Sequence, residues 1–73
     1  MSGIGKVRKG IGANVRSFRK RAALSQEKLG EKADLHLVYI SQVEHGIKAV
    51  SVGALWKLSR ALRVRMASLG RGV

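Results

Sequence analysis

Ser25–Gly46, SQEKLGEKADLHLVYISQVEHG, is the stretch on which the fold turns. Leu29 and Ala33 stand at i,i+4 and Ile40 and Val43 at i,i+3, with Leu35 between the two pairs. Side chains three or four apart share one face of a helix, so each pair marks a short helix with one buried stripe. The spacing predicts two helices joined by a tight turn, the second presented outward. Gly30 sets a position without a side chain beside Leu29, where a crossing helix can come close.

Around this stretch lies a small and strongly basic chain. Seventy-three residues make one domain with one modest core. There is no cysteine, so disulfides and thiolate metal sites are unavailable and helix packing must hold the fold. A reducing, cytoplasmic setting fits that composition. The longest uncharged apolar run, Ala49–Trp56, is far short of the roughly 20 residues a membrane span needs. The N-terminus has basic residues with no continuous apolar segment behind them, so no signal peptide is expected. Fifteen Lys and Arg against four Asp and Glu give a formal net charge of +11, a balance that favours polyanions. A turn-linked helix pair in such a domain points to double-stranded DNA as the partner.

Working outward, Ile11, Val15, Phe18 and Ala22 follow helical spacing and predict an amphipathic first helix, with Arg16, Arg19, Lys20 and Arg21 on its other faces. Residues 1–10 carry Gly and charge with little periodicity and are expected to be a flexible basic arm. Lys6, Arg8 and Lys9 are available there for phosphate or minor-groove contacts, although a leader without fixed contacts is the plainer reading. Ser25 caps the second helix, with Glu27 favourably placed in its first turn. Ser51 is the expected N-cap of a fourth helix whose inward stripe is Val52, Leu55, Leu58, Ser59 and Leu62; Val64, Met66 and Leu69 suggest a short fifth segment covering the core. No proline, repeat or β-type alternation interrupts the pattern. The expected fold is all-α, a compact bundle of four or five helices over residues 11–70, followed by a tail at 71–73.

The segments IGANVRSFR, LSQEKLGEKA, YISQVEHG and SVGALWKLSRAL, taken together, resemble the lambda-repressor-like, or XRE-type, helix-turn-helix family. The resemblance runs from about Ile11 to Leu69. Among standalone members it extends to small phage-type repressors and restriction-modification controller proteins. It implies that helices two and three form the helix-turn-helix and that His36–Glu44 lies in the major groove. Gln26 would contact a phosphate and brace the reading helix, with Ser25 beside it. Leu37, Val38, Tyr39 and Gln42 would face base edges or flanking phosphates, with base-edge hydrogen bonds expected from Gln42, Tyr39 and His36. His36 and His45 are otherwise expected to be exposed phosphate contacts, and Lys48 would meet the backbone. Arg19 and Glu44 occupy the family's ion-pair positions.

Departures from the family pattern carry information of their own. Ala23, Asp34 and Arg63 stand where Gly is usual at turns, a left-handed geometry strained for Ala and Arg, so either those junctions take another geometry or the fold is less stable than usual. Gly46 keeps the expected residue. His36 replaces the usual Ser or Thr, which leaves the third helix without a strong capping oxygen. Leu37 and Val38 have no side-chain hydrogen bonds to offer, so they suit thymine methyl groups and not bidentate base contacts. An A·T-rich site, or one recognised through DNA shape, is expected.

Other chemistry finds little support. His36 and His45 are nine residues apart with no carboxylate at ligand spacing, and the GIG triplets lack the preceding strand of a phosphate loop. No enzyme activity, metal, cofactor, membrane or small-molecule substrate is expected. Trp56 lies about 100° off the buried stripe of the fourth helix. With Met66 and Leu69 it marks a candidate contact between two copies, packing at the core's edge being the alternative. A homodimer has its own motive, because one such module reads only a half-site. Two competing functions remain. One is a protein-interaction module of the antitoxin kind, using Leu37, Val38 and Trp56; the other is a polyanion binder driven by charge alone.

Overall fold

The computed structural model describes residues 3–73, in five helices: α1 Gly3–Arg21, α2 Gln26–Ala33, α3 Leu37–Glu44, α4 Val52–Leu62 and α5 Met66–Leu69. Val15, Leu29, Ile40, Val43, Leu58 and Leu69 are the largest fully buried side chains, so every helix contributes to one core. Helix α1 crosses α3, and α2 packs on both α3 and α4. No helix among the described residues is long and apolar enough to cross a membrane.

Two of the helix starts follow from their caps. Ser25 Oγ accepts the Lys28 N–H at 3.0 Å, and Ser51 Oγ accepts the Ala54 N–H at 3.1 Å. Each satisfies one of the donors that a helix N-terminus leaves without a partner. At His36 the expected deficit is partly made good, because its ring Nδ1 accepts the Val38 N–H at 3.2 Å.

The helix ends share one device. Ala23, Asp34, Arg63 and Gly46 all take positive φ, at 59°, 57°, 59° and 72°. After each comes an apolar residue whose N–H reaches back five positions: Leu24 to Arg19, Leu35 to Gly30, Val64 to Ser59 and Ile47 to Gln42. This is the Schellman closure, in which the apolar residue after the turn also packs on the helix it ends. Leu24, Leu35 and Val64 do so against the core. The left-handed geometry is therefore retained at Ala23 and Arg63 despite their Cβ atoms. Ala23→Gly and Arg63→Gly should each stabilise the domain by about 1 kcal/mol in denaturant titrations, since they remove that strain. A neutral or negative result would mean the junctions are relaxed.

Five expectations need correction. Residues 3–10 are not an irregular arm but the first turns of α1, because Ile4 and Val7 continue the stripe of Ile11 at i+7 and i+4 before it. Met1 and Ser2, the rest of the expected arm, lie outside the described residues. Ala22 is exposed, since it falls past the end of α1. Val52 is 77% exposed, and Ala54 takes its place in the stripe. At about 100° per residue, Val52 lies about 120° from Leu58 and Ala54 only about 40°. Leu69, expected both in a segment covering the core and as a candidate contact between copies, is fully buried, so only the first of the two holds. The segment 71–73 is tied down: Asn14 Nδ2 donates to the carbonyls of Leu69 and Arg71, both at 2.9 Å. A Cβ built on Gly10 would fall 2.8 Å from a Val73 methyl.

Candidate nucleic-acid interface

The orientation of α3 is set from behind by a charged cluster. Arg19 on α1 holds Glu44 with both faces of its fork, Nε to Oε2 at 2.6 Å and one terminal nitrogen to Oε1 at 3.0 Å. Its other terminal nitrogen donates to the Leu24 carbonyl at 2.9 Å. Gln26 Nε2 adds a third donor to Glu44, at 3.0 Å. The side chains of Arg19 and Glu44 are only 11% and 2% exposed. The Glu44 hydrogen bond holds the Arg19 guanidinium above its ordinary pKa, burial opposes this, and the charge of Glu44 adds to the rise. Thus one carboxylate at the end of α3 joins α1, the start of α2 and α3 itself.

Two glycines let these helices approach. A Cβ on Gly12 would run into the backbone carbonyl of Val43, so only Gly allows α1 to cross α3 at this distance. At Gly30 the close neighbour is the Leu35 carbonyl of the turn, and not a crossing helix as the sequence suggested. The position called for Gly for a different reason.

On the outer face of α3, Leu37 and Val38 are 42% and 54% exposed, a pair of apolar side chains held out by the fold. Gln42 is half-buried, one turn further on. Tyr39 behaves differently from its neighbours. Its ring packs against the core and its hydroxyl accepts the Ser51 N–H at 3.3 Å, which aims it at the start of α4. His45 Nδ1 donates to the Ser41 carbonyl at 2.7 Å and lies along the helix end. Lys48 is exposed in the loop that follows. Ser25 is exposed, with its oxygen engaged as a cap.

Charge is distributed unevenly. Helix α1 contains no acidic residue, and the chain's four acids are Glu27, Glu31, Asp34 and Glu44. Glu44 is taken up by Arg19, Glu31 pairs with Lys28 at 3.5 Å, and Asp34 lies 3.8 Å from Lys57. Most cations therefore face solvent without local neutralisation, which is the footprint of a phosphate-binding surface. Among the described residues no three His, Asp or Glu side chains gather as metal ligands would.

Trp56 is 51% exposed, with the Arg60 guanidinium 5.3 Å above its ring. Met66 is half-buried nearby in sequence, whereas Leu69 has no surface to offer. Three contributors escaped sequence reasoning: Gly12, Asn14 and the Tyr39–Ser51 contact. The GIG spacing at Gly10–Gly12 was a visible signal, although nothing local said what the second glycine would meet.

Two short helices at a tight turn, the second exposed and braced by a buried ion pair, define a helix-turn-helix DNA-binding regulator. The helix-turn-helix family model matches residues 15–69. Control protein C.BamHI of Bacillus amyloliquefaciens is 43% identical over 56 residues, covering 75% of this chain and 69% of that protein. Control protein C.SmaI of Serratia marcescens is 39% identical over 59 residues, covering 81% and 70%. The crystal structure of the restriction-modification controller protein C.AhdI from Aeromonas hydrophila superposes with a TM-score of 0.83 at 32% identity, over 85% of this chain and 94% of that one. The chain belongs to the XRE-type helix-turn-helix family, and its function is sequence-specific DNA binding in transcriptional regulation.

Proposed function

We propose that the protein is a homodimeric regulator of the controller or repressor type, acting in the cytoplasm on operators that are rich in A·T pairs or recognised by shape. The observation that carries this reading is the outward pair Leu37 and Val38 on the braced reading helix. These side chains suit thymine methyl groups, and Gln42 is the side chain nearest them on α3 with paired donor and acceptor groups for adenine. Phosphate contacts from Lys48, Gln26 and the Tyr39 hydroxyl supply affinity and register without sequence information. Two copies pairing through the Trp56 flank of α4 would read two half-sites about one DNA turn apart. The controller relatives support this assignment.

The test is fluorescence anisotropy with the DNA upstream of the protein's own gene against a scrambled duplex at about physiological salt. A preference of roughly a thousandfold or more is expected for an operator. Gln42→Ala should then remove about 1–3 kcal/mol of discrimination at one base position and leave the others intact. Equal, salt-sensitive binding to both duplexes would favour charge-driven polyanion binding. No binding to either would favour a protein partner on Leu37 and Val38, which are exposed enough to serve one.

A further inference from the structure

An apolar cavity of about 430 Å³ lies between the first turns of α1 and the loop that follows α3. Its walls include Ile4, Val7 and Ile11 on one side and Val43 and Val50 on the other. Ile4 and Val7 remain 67% and 41% exposed, so these side chains have no apolar partner that hides them fully. Two cations, Arg8 and Lys48, complete the lining, and no acidic residue reaches it. Arg8 Nε is buried and makes no hydrogen bond. That atom is shut off from the cavity, so any contact with an occupant falls to the rest of the guanidinium.

These features specify an occupant. It needs an apolar body for the walls and an anionic head for the two cations at the rim, Arg8 and Lys48. The volume falls at the lower end of small-molecule sites, roughly 300–1,000 Å³. We propose that the cavity binds a free single-chain carboxylate, an alkyl chain of about eight to ten carbons with its carboxylate between Arg8 and Lys48. The hydrocarbon replaces water against Ile4, Val7 and Ile11, and the carboxylate meets the positive charges of Arg8 and Lys48. Because Lys48 also serves the DNA backbone in the reading above, a bound carboxylate competes with a phosphate for it. That linkage rests on the DNA reading; the site itself does not.

Binding is tested without DNA, by titrating hexanoate, octanoate and decanoate, each below its micelle concentration, into the full chain while recording amide NMR shifts and heat. Shifts confined to residues 3–11 and 43–50 are expected, with affinity rising about fourfold for each methylene buried. Decanol and decyltrimethylammonium should bind at least about tenfold more weakly than decanoate, since they lack the anion. Arg8→Gln should weaken decanoate about tenfold or more, and Val7→Trp, which fills the cavity, should abolish the localised shifts. Lys20→Gln, which removes a charge outside the cavity, should leave decanoate affinity unchanged. Amide dispersion confirms that each variant is folded. Shifts scattered over the basic surface, no dependence on chain length, or equal weakening by Lys20→Gln would overturn the proposal. So would binding to phosphatidylglycerol vesicles without any response to the free carboxylates.

Discussion

Replacing Arg19 by Met is expected to lower the thermal midpoint by roughly 12–24 °C, the largest loss from any single charge in the chain. Removing one partner of a buried ion pair typically costs about 3–5 kcal/mol, because the other charge stays buried without compensation. At the lower figure of about 3 kcal/mol, a domain of this size shifts by about 4–8 °C per kcal/mol. Glu44 is the more exposed to such a loss, since its side chain is 2% accessible and two of its three side-chain hydrogen bonds come from Arg19. Only Gln26 would remain. The double variant Arg19→Met with Glu44→Leu should recover a large part of the deficit, because a buried pair replaced by apolar groups is often near neutral. A single-variant loss below about 1 kcal/mol would mean the pair behaves like an exposed one. Salt separates the cases further. The wild-type midpoint should rise from low to moderate ionic strength as repulsion within the net charge of +11 is screened, whereas the deficit of Arg19→Met, set by a buried pair, should persist.

Those same residues show how far the chain could be understood before its structure. The helix pair was legible because Leu29, Ala33, Ile40 and Val43 repeat at helical spacing and all four are buried. Ser25 and Ser51 were legible because capping is local chemistry, decided within three residues. The left-handed residues are half legible: the family pattern marks their positions, but the apolar residue after each turn becomes part of one motif only once its N–H reaches back five positions. The first turns of α1 were obscured by glycines at positions 3, 5 and 10, which lower helix propensity while Ile4 and Val7 keep the stripe. Leu69 misled for a different reason. Met66 and Leu69 stand at i,i+3, but a four-residue helix is too short for its spacing to tell core from interface until the chain is folded. Tyr39 sits among exposed residues in sequence, and only the approach of Ser51 turns its hydroxyl toward α4.

Gly12→Ala and Gly53→Ala should move stability in opposite directions, although both place alanine within a helix. Taken by propensity alone, each substitution would stabilise by roughly 0.5–1 kcal/mol. At Gly53 that expectation stands, somewhat reduced by its place in the first turn of α4, because an added Cβ meets nothing within 4 Å. At Gly12 the Cβ would overlap the Val43 carbonyl and press on the Glu44 carbonyl at 3.0 Å. Neither neighbour is the end of a flexible side chain, so no rotamer change relieves the clash. Helix α1 must instead lift from α3, which opens the core at Val15 and Val43, both essentially inaccessible in the native fold. Overpacking of this kind costs about 1–3 kcal/mol where side chains can adjust. Backbone against backbone should reach about 3 kcal/mol or more, net of the propensity gain. Urea titrations of the two variants beside wild type decide the matter. Stabilisation by Gly12→Ala would show that the two helices do not cross this closely. Loss at Gly12 with gain at Gly53 would place the constraint at the α1–α3 crossing, the contact that also carries the Arg19–Glu44 brace. Under that outcome the close crossing and the ion pair act together on α3: the glycine sets its distance from α1, and the carboxylate sets its angle.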